Sequence, residues 1–131
     1  MIVVDTNVIA YLMIAGERTT EARVAFRRDP EWVAPLLWQS EFRNVLAGYL
    51  LRGLALEDAL QLTREAERLM EGGEYHVDSP RVLSLAAASK CSAYDCEFVA
   101  LAQELGVPLV TSDRAILNAF PTTAVALGRF G

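Results

Sequence analysis

The 131-residue chain has few of the residues that usually build disulfides and zinc sites. It contains two cysteines, Cys91 and Cys96, and a single histidine, His76. A Cys-x4-Cys pair without a nearby histidine is a poor zinc motif. Without a visible secretion signal, both thiols are predicted to be reduced and to pack as small buried hydrophobes. Nor does an isolated histidine indicate a catalytic or metal-binding role.

The chain also lacks a net positive charge and a long apolar run. Its formal net charge is −5 at pH 7, which argues against a protein that coats DNA non-specifically, since such binding needs many cations. An enzyme that meets phosphates through a metal ion is not excluded. The longest apolar segment, residues 8–15, is too short to span a bilayer, and no basic leader precedes it. We therefore expect a cytoplasmic protein with no membrane partner.

Apolar residues make up 53% of the chain and charged residues 22%, which is ordinary for a globular protein and too apolar for disorder. The length fits a single domain over residues 1–131. Strands are predicted at residues 2–4, 32–34, 74–77, 107–113 and 123–127, and helices at residues 6–15, 19–29, 35–53, 56–73, 79–90, 92–106 and 113–120. This alternation predicts an α/β fold with a mainly parallel central sheet and helices on both faces. Thr19 and Ser79 are predicted to cap two of the helices.

Two acidic residues stand at the ends of predicted strands. The segment IVVDTN carries Asp5 directly after an apolar strand, and PLVTSD carries Asp113 after another. Each could be only a helix N-cap, because a predicted helix follows at once. However, the carboxyl ends of parallel strands share one edge of the sheet, and ligands bind there in open α/β folds.

Two further acids lie on predicted helices. Asp95 could complete a capping box with Ser92, yet helical spacing places it on an apolar face with Phe98 and Val99. Glu41 lies at the edge of the apolar stripe of its helix, where a solvated flank or a bond to Arg43 is the alternative. If these acids converge with Asp5 and Asp113 and no cation, some of them should stay protonated or bind a metal ion, and oxygen ligands suit Mg²⁺ or Mn²⁺.

The segments DTNVI, SEFRNVL, SAYDCEFVALA and LVTSD together resemble the PIN-domain family, and most closely its VapC-type ribonuclease toxins. The resemblance covers almost the whole chain and implies a three-layer, flavodoxin-like fold. It also implies a Mg²⁺- or Mn²⁺-dependent ribonuclease that cleaves RNA, acts as a homodimer and pairs with a small antitoxin. By position, it makes Asp5 and Asp95 the firmest metal ligands, completed by Glu41 and Asp113.

The same resemblance makes Thr6, Asn7, Thr111 and Ser112 candidates for supporting or substrate-binding groups. Some relatives have a further acid just after the strand-end aspartate, where this chain has Arg114, so a second metal position is not implied. Several basic residues are candidates for a phosphate track around the acids, with solubility and ordinary ion pairs as the alternative; they are Arg43, Arg52, Arg81, Lys90 and Arg114.

Other classes fit the sequence less well. A haloacid-dehalogenase-type phosphotransferase would need a second acid where Asn7 stands, and a receiver module would need a lysine where the chain reads TSD. A PIN-like nuclease of RNA processing outside a toxin pair, and a catalytically silent binding module of the same fold, remain open alternatives.

Overall fold

A computed structural model describes all 131 residues. Its centre is a five-stranded sheet in which every neighbouring pair is parallel. The strands are β1 (Ile2–Val4), β2 (Trp32–Pro35), β3 (Glu74–Tyr75), β4 (Leu109–Thr111) and β5 (Ala124–Ala126), in the order β3-β2-β1-β4-β5. The predicted α/β class is confirmed, and the sheet is wholly rather than mainly parallel.

Eight helices surround the sheet. They are α1 (Thr6–Met13), α2 (Thr19–Arg28), α3 (Leu37–Leu51), α4 (Leu56–Met70), α5 (Ser79–Ser89), α6 (Ala93–Leu105), α7 (Arg114–Ala119) and α8 (Leu127–Phe130). The connections through α1–α4 step across the sheet in one direction and those through α5–α7 step back, so right-handed crossovers place the two sets on opposite faces. This gives the three-layer architecture. None of the helices combines the length and apolarity needed to cross a membrane.

The burial of both faces of the sheet explains why the strand sequences are continuous apolar runs. All three residues of β1 are buried, because helices cover both faces of a parallel sheet. Helix α6 packs against β1, β2 and β4 through a nearly all-buried middle section. Since a helix that joins parallel strands must run back to their starting edge, α6 begins at the carboxyl edge of the sheet. The same holds for the start of α3, which follows β2.

Two predicted helix caps are wrong. The hydroxyl of Thr19 is already engaged with the preceding loop, accepting from the N–H of Gly16 at 2.9 Å, and α2 has no side-chain cap. Helix α5 is capped by Asp78, whose carboxylate accepts from the N–H of Arg81 at 3.2 Å. Ser79 is therefore the first helical residue rather than the cap. The short helix α8 has no counterpart among the predicted elements.

Candidate active site

The strand order reverses between β1 and β4, and the two strand-end acids lie at this reversal. Val4 pairs with Val110, and the N–H of Asp5 donates to the carbonyl of Val110 at 3.3 Å. Asp113 follows β4 by two residues. The structure thus brings Asp5 and Asp113 to the crevice where open α/β sheets bind ligands.

Asp5 is a helix cap and also a buried acid. One carboxylate oxygen accepts from the N–H of Val8 at 3.0 Å, and the other accepts from the hydroxyl of Thr111. Burial raises the pKa of Asp5 to about 6, helped by the negative charges of Asp113 and Glu41 and opposed by these two hydrogen bonds. Because each carboxylate oxygen has two lone pairs, both can still reach a further partner. The capping interpretation is therefore correct for Asp5 but accounts for only part of its surroundings.

Thr111 joins the two strand-end acids. It is fully buried, donates to Asp5, and accepts from the N–H of Asp113 at 3.0 Å. The Asp113 carboxylate in turn caps α7 by accepting from the N–H of Ile116 at 3.1 Å. Ser112, the residue between them, instead shares a hydrogen bond of 3.2 Å with the hydroxyl of Tyr11. The Thr111 hydroxyl thus links the carboxylate of Asp5 to the backbone of Asp113.

Asp95 lies in the first turn of α6, but the cap of that helix is Ser92. The hydroxyl of Ser92 accepts from the N–H of Asp95 at 3.0 Å, and no N–H of Ser92 returns to the Asp95 carboxylate. Burial raises the pKa of Asp95, the charge of Asp113 raises it further, and the Ser92 hydroxyl lowers it. The carboxylate of Asp95 therefore takes no part in a capping box, and Asp95 lines the cavity described below.

Glu41 lies in the second turn of α3 and reaches the first turn of α1. The hydroxyl of Thr6 donates to one of its carboxylate oxygens at 2.7 Å. Burial and the charge of Asp95 raise the pKa of Glu41, and the Thr6 hydrogen bond opposes them. The alternative partner, Arg43, is exposed and bonds only to Gln39. The alternative interpretations of Glu41 as a solvated flank or an ion-pair partner are therefore not supported.

All four acids line one cavity of about 450 Å³, which we call the acid cavity. Its lining comprises Asp5, Thr6, Asn7, Leu37, Ser40, Glu41, Asn44, Val45, Tyr94, Asp95, Phe98, Asp113 and Ile116. Of the predicted supporting residues, Thr6 and Asn7 belong to this lining, whereas Thr111 and Ser112 lie behind it. Arg114 is exposed, makes no ion pair and does not line the cavity.

Sequence reasoning missed several polar groups of the acid cavity. Ser40 and Asn44 flank Glu41 on α3, and the spacing of three residues from Glu41 to Asn44 was the available signal, because such residues share a helix face. Tyr94, just before Asp95, is 62% exposed at the cavity. Glu97 is a fifth acid nearby, since burial and the charge of Glu41 raise its pKa, but it lines a different cavity with His76.

The acid cavity has no compensating cation. The four ion pairs of the structure join Met1 to Asp29 and Glu31, Arg18 to Glu21, and Arg81 to Asp78, all elsewhere. Buried carboxylates without cations repel one another, and a divalent cation with oxygen ligands would relieve this repulsion. As the side chains stand, no three acids converge closely enough to enclose an ion. The donor chemistry therefore fits a Mg²⁺ or Mn²⁺ ion, and binding would require the carboxylates to draw together.

Comparisons with known proteins show which family this chain resembles. The PIN domain family model matches residues 2–120. The ribonuclease VapC3 of Pyrobaculum aerophilum is 31% identical over 124 residues, which cover 92% of this chain and 95% of that protein. A toxin-antitoxin complex from Klebsiella pneumoniae superposes with a TM-score of 0.73 at 21% identity, covering 97% of this chain and 98% of that one. FitAcB from Neisseria gonorrhoeae superposes with a TM-score of 0.77 at 17% identity, covering 98% and 99%. This chain belongs to the PIN-domain family.

Proposed function

We propose that this protein is a Mg²⁺- or Mn²⁺-dependent endoribonuclease that cleaves RNA phosphodiester bonds. The observation that carries the proposal is the acid cavity itself, in which Asp5, Glu41, Asp95 and Asp113 come from four different elements and meet no cation. A bound divalent ion supplies an activated water and holds a phosphate oxygen during phosphodiester hydrolysis. The likeness to a protein named ribonuclease VapC3 supports RNA as the substrate.

In this proposal Asp5 and Asp95 hold the ion, and Glu41 and Asp113 complete its surroundings directly or through water. Thr111 and the N–H of Val8 hold the Asp5 carboxylate in one orientation, and Thr6 does the same for Glu41. Such supporting hydrogen bonds orient metal ligands and tune their basicity. The protein thus supplies carboxylate oxygens at the carboxyl edge of the sheet, two of them on side chains oriented by hydrogen bonds, and these would draw together around the ion.

The neutral side chains of the acid cavity are suited to bind the substrate beside the ion. Asn7 and Asn44 are both exposed and carry amide donors that can bond phosphate or ribose oxygens. Tyr94 offers an exposed aromatic face on which an unpaired base can stack. These groups add no negative charge, so they can hold an RNA strand that the carboxylates alone would repel.

We further propose that the protein is the toxin of a toxin–antitoxin pair that acts in the cytoplasm as a homodimer. Support for the pairing comes from the structural likeness to a chain of the Klebsiella pneumoniae toxin-antitoxin complex. Support for self-association comes from exposed apolar side chains at the end of α3 and the start of α4, including Leu51, which is 90% exposed, and Leu56.

The nuclease proposal is tested by incubating the protein with one structured and one unstructured RNA in Mg²⁺, in Mn²⁺ and in EDTA. We expect cleavage of at least one RNA with either metal and none in EDTA. Asp95→Asn should abolish cleavage. Asp58→Asn is the matched control, because Asp58 is the third residue of α4 as Asp95 is of α6, and it is exposed and remote from the cavity.

Cleavage that persists in EDTA, or in Asp95→Asn, would contradict the mechanism. A protein that binds metal and RNA but never cleaves would indicate the silent binding module. The toxin role is tested by asking whether a small reading frame lies directly upstream of the gene, and by expressing the protein alone and together with the product of that reading frame. Growth arrest that co-expression relieves is expected. A nuclease with no effect on growth would indicate RNA processing instead.

The homodimer is tested by sedimentation. A stable two-fold interface should bury on the order of 1,200 Å² or more in total. We therefore expect a dimer at micromolar concentration, and a purely monomeric protein would remove this part of the proposal.

A further inference from the structure

A second groove opens directly beside the acid cavity. Its volume is about 630 Å³, and Asn7, Asn44 and Val45 line both spaces, so the two adjoin. We call it the arginine groove, since Arg18 and Arg52 line it between α1, the start of α2 and the end of α3. Its size lies within the range of ordinary ligand sites.

The arginine groove pairs each of its cations with an aromatic ring. The guanidinium of Arg52 lies 4.5 Å from the ring centre of Tyr49, and that of Arg18 lies 5.3 Å from the ring centre of Tyr11. Arg18 is also bound to Glu21 at 2.9 Å, so its charge is largely compensated. Arg52 has no carboxylate partner. The groove therefore places one unpaired cation, Arg52, beside the acid cavity, and its other unpaired charge is the carboxylate of Glu17.

We infer that the arginine groove binds the single-stranded RNA that flanks the cleaved bond, with Arg52 on a backbone phosphate. This rests on the proposed function, since it assigns the path of that substrate. A guanidinium matches the geometry of a phosphate, and a surface that alternates cations with aromatic rings is the usual way to hold an unpaired strand. Asn7 and Asn44 stand where the strand passes from the groove into the acid cavity.

Gly48 gives an independent way to test the groove without touching its charge. It lies on α3 one turn before Arg52, and a Cβ added there would meet nothing closer than Nη2 of Arg52, 4.0 Å away. Gly48→Gln should therefore place a side chain in the open groove. Gly48→Ala is its matched control, because it improves helix propensity equally well without filling the space.

The measurement is fluorescence anisotropy with a labelled single-stranded RNA of about 12 nucleotides, within the usual range of site sizes, in EDTA so that no cleavage occurs. Arg52→Gln should weaken binding about tenfold, the effect of losing one hydrogen bond to a charged group. It should also reduce the slope of log affinity against log salt by about 0.7, the value for one phosphate contact on a single strand. Gly48→Gln should weaken binding as well, whereas Gly48→Ala should not.

Arg64→Gln is the control for charge alone, because Arg64 is an exposed arginine of α4 that lines neither space. The hydrolysis of bis-p-nitrophenyl phosphate, which is small enough to occupy only the acid cavity, should be unchanged in Arg52→Gln, while kcat/KM for RNA falls. If no variant hydrolyses anything, the nuclease proposal fails, and the binding contrast still tests the groove.

Unchanged RNA affinity in Arg52→Gln and Gly48→Gln overturns the inference. The inference is also overturned if these two variants bind RNA normally but no longer bind a protein partner. An equal loss in Arg64→Gln also overturns it, because binding would then follow net charge. A lower melting temperature of Arg52→Gln with unchanged affinity would mean that Arg52 serves only the carboxyl end of α3.

Discussion

The acid cavity and the arginine groove adjoin each other, and only the groove is lined by cations. Three of the four carboxylates in the cavity accept hydrogen bonds from hydroxyl or N–H groups, the carboxylate of Asp95 accepts none, and the groove holds Arg52 over an aromatic ring. If Arg52 stood among the carboxylates, it would neutralise them and remove the need for a metal ion. Separation by the uncharged residues Asn7, Asn44 and Val45 lets one surface attract a cation and the next attract a phosphate.

The largest expected effect contrasts the removal of one charge from each region. Asp95→Asn should abolish detectable RNA cleavage, a loss of more than about a hundredfold, because replacing even a group that only supports a metal ligand costs up to that much. It should also remove most of the thermal stabilisation by Mn²⁺, which follows from linkage. Without metal it should be as stable as the wild type or more so, because one repelling charge is gone. Melting curves with and without Mn²⁺ measure this.

Arg52→Gln should keep the full Mn²⁺ stabilisation, because the groove takes no part in metal binding. An Asp95→Asn protein that still gains full stability from Mn²⁺ would contradict metal binding in the acid cavity. An Arg52→Gln protein that loses the Mn²⁺ stabilisation would contradict the statement that the groove takes no part in metal binding.

The second prediction concerns pH. The folded pKa of Asp5, about 6, lies above its ordinary value of 3.8, so the folded state holds a proton that the unfolded state has lost. In EDTA the free energy of unfolding should fall as pH rises from about 4 to about 6, by up to about 3 kcal/mol from this group. Asp5→Asn should flatten this dependence, as urea unfolding at several pH values would show.

Metal should reverse this trend, because ligands must be deprotonated before they bind an ion. The stabilisation by Mn²⁺ should therefore grow over the same pH range in the wild type. If the free energy of unfolding in EDTA instead rises between pH 4 and 6, equally in wild type and Asp5→Asn, then the pKa of the buried Asp5 is not raised.

The third prediction concerns the buried hydroxyl behind the acid cavity. Thr111→Val should lower the free energy of unfolding by about 1–3 kcal/mol, since Asp5 and the N–H of Asp113 each lose a buried partner. It should also raise the pKa of Asp5 further, so that Mn²⁺ stabilisation begins at a higher pH. Urea unfolding and Mn²⁺ titration at several pH values measure both effects.

Thr63→Val is the matched control, because Thr63 is a partly buried threonine whose hydroxyl donates only to the carbonyl of Ala59. It should leave the pH dependence of Mn²⁺ stabilisation unchanged. Equal behaviour of the two variants would mean that Thr111 has no part in orienting Asp5.

The smallest expected effect separates the cap of α6 from its acid. Ser92→Ala should cost about 1 kcal/mol of stability, the usual value for a lost N-cap, and should leave RNA cleavage in place. Ser84→Ala, an exposed serine that bonds within α5, should cost less. Loss of cleavage in Ser92→Ala without loss of stability would mean that Ser92, too, belongs to the acid cavity.

Local sequence patterns were sufficient to predict the sheet and its two strand-end acids. In any open parallel sheet, an acid such as Asp5 or Asp113 that stands between an apolar strand and a helix lies at the ligand-binding edge, because the carboxyl ends of the strands share that edge. Helical spacing also indicated that Asp95 lies on the apolar, inward-facing side of its helix. The caps at Thr19 and Ser79 were predicted wrongly, since a cap depends on backbone geometry within one or two residues, which spacing does not resolve.

The order and identity of Asp5, Glu41, Asp95 and Asp113 were in the sequence. Only the tertiary structure decided that Thr6 reaches Glu41, that Thr111 joins Asp5 to Asp113, and that Arg114 stays outside. It alone also placed Arg18 and Arg52 in one groove. These are contacts between residues far apart in the chain, and their geometry depends on how the helices pack on the sheet rather than on any local pattern.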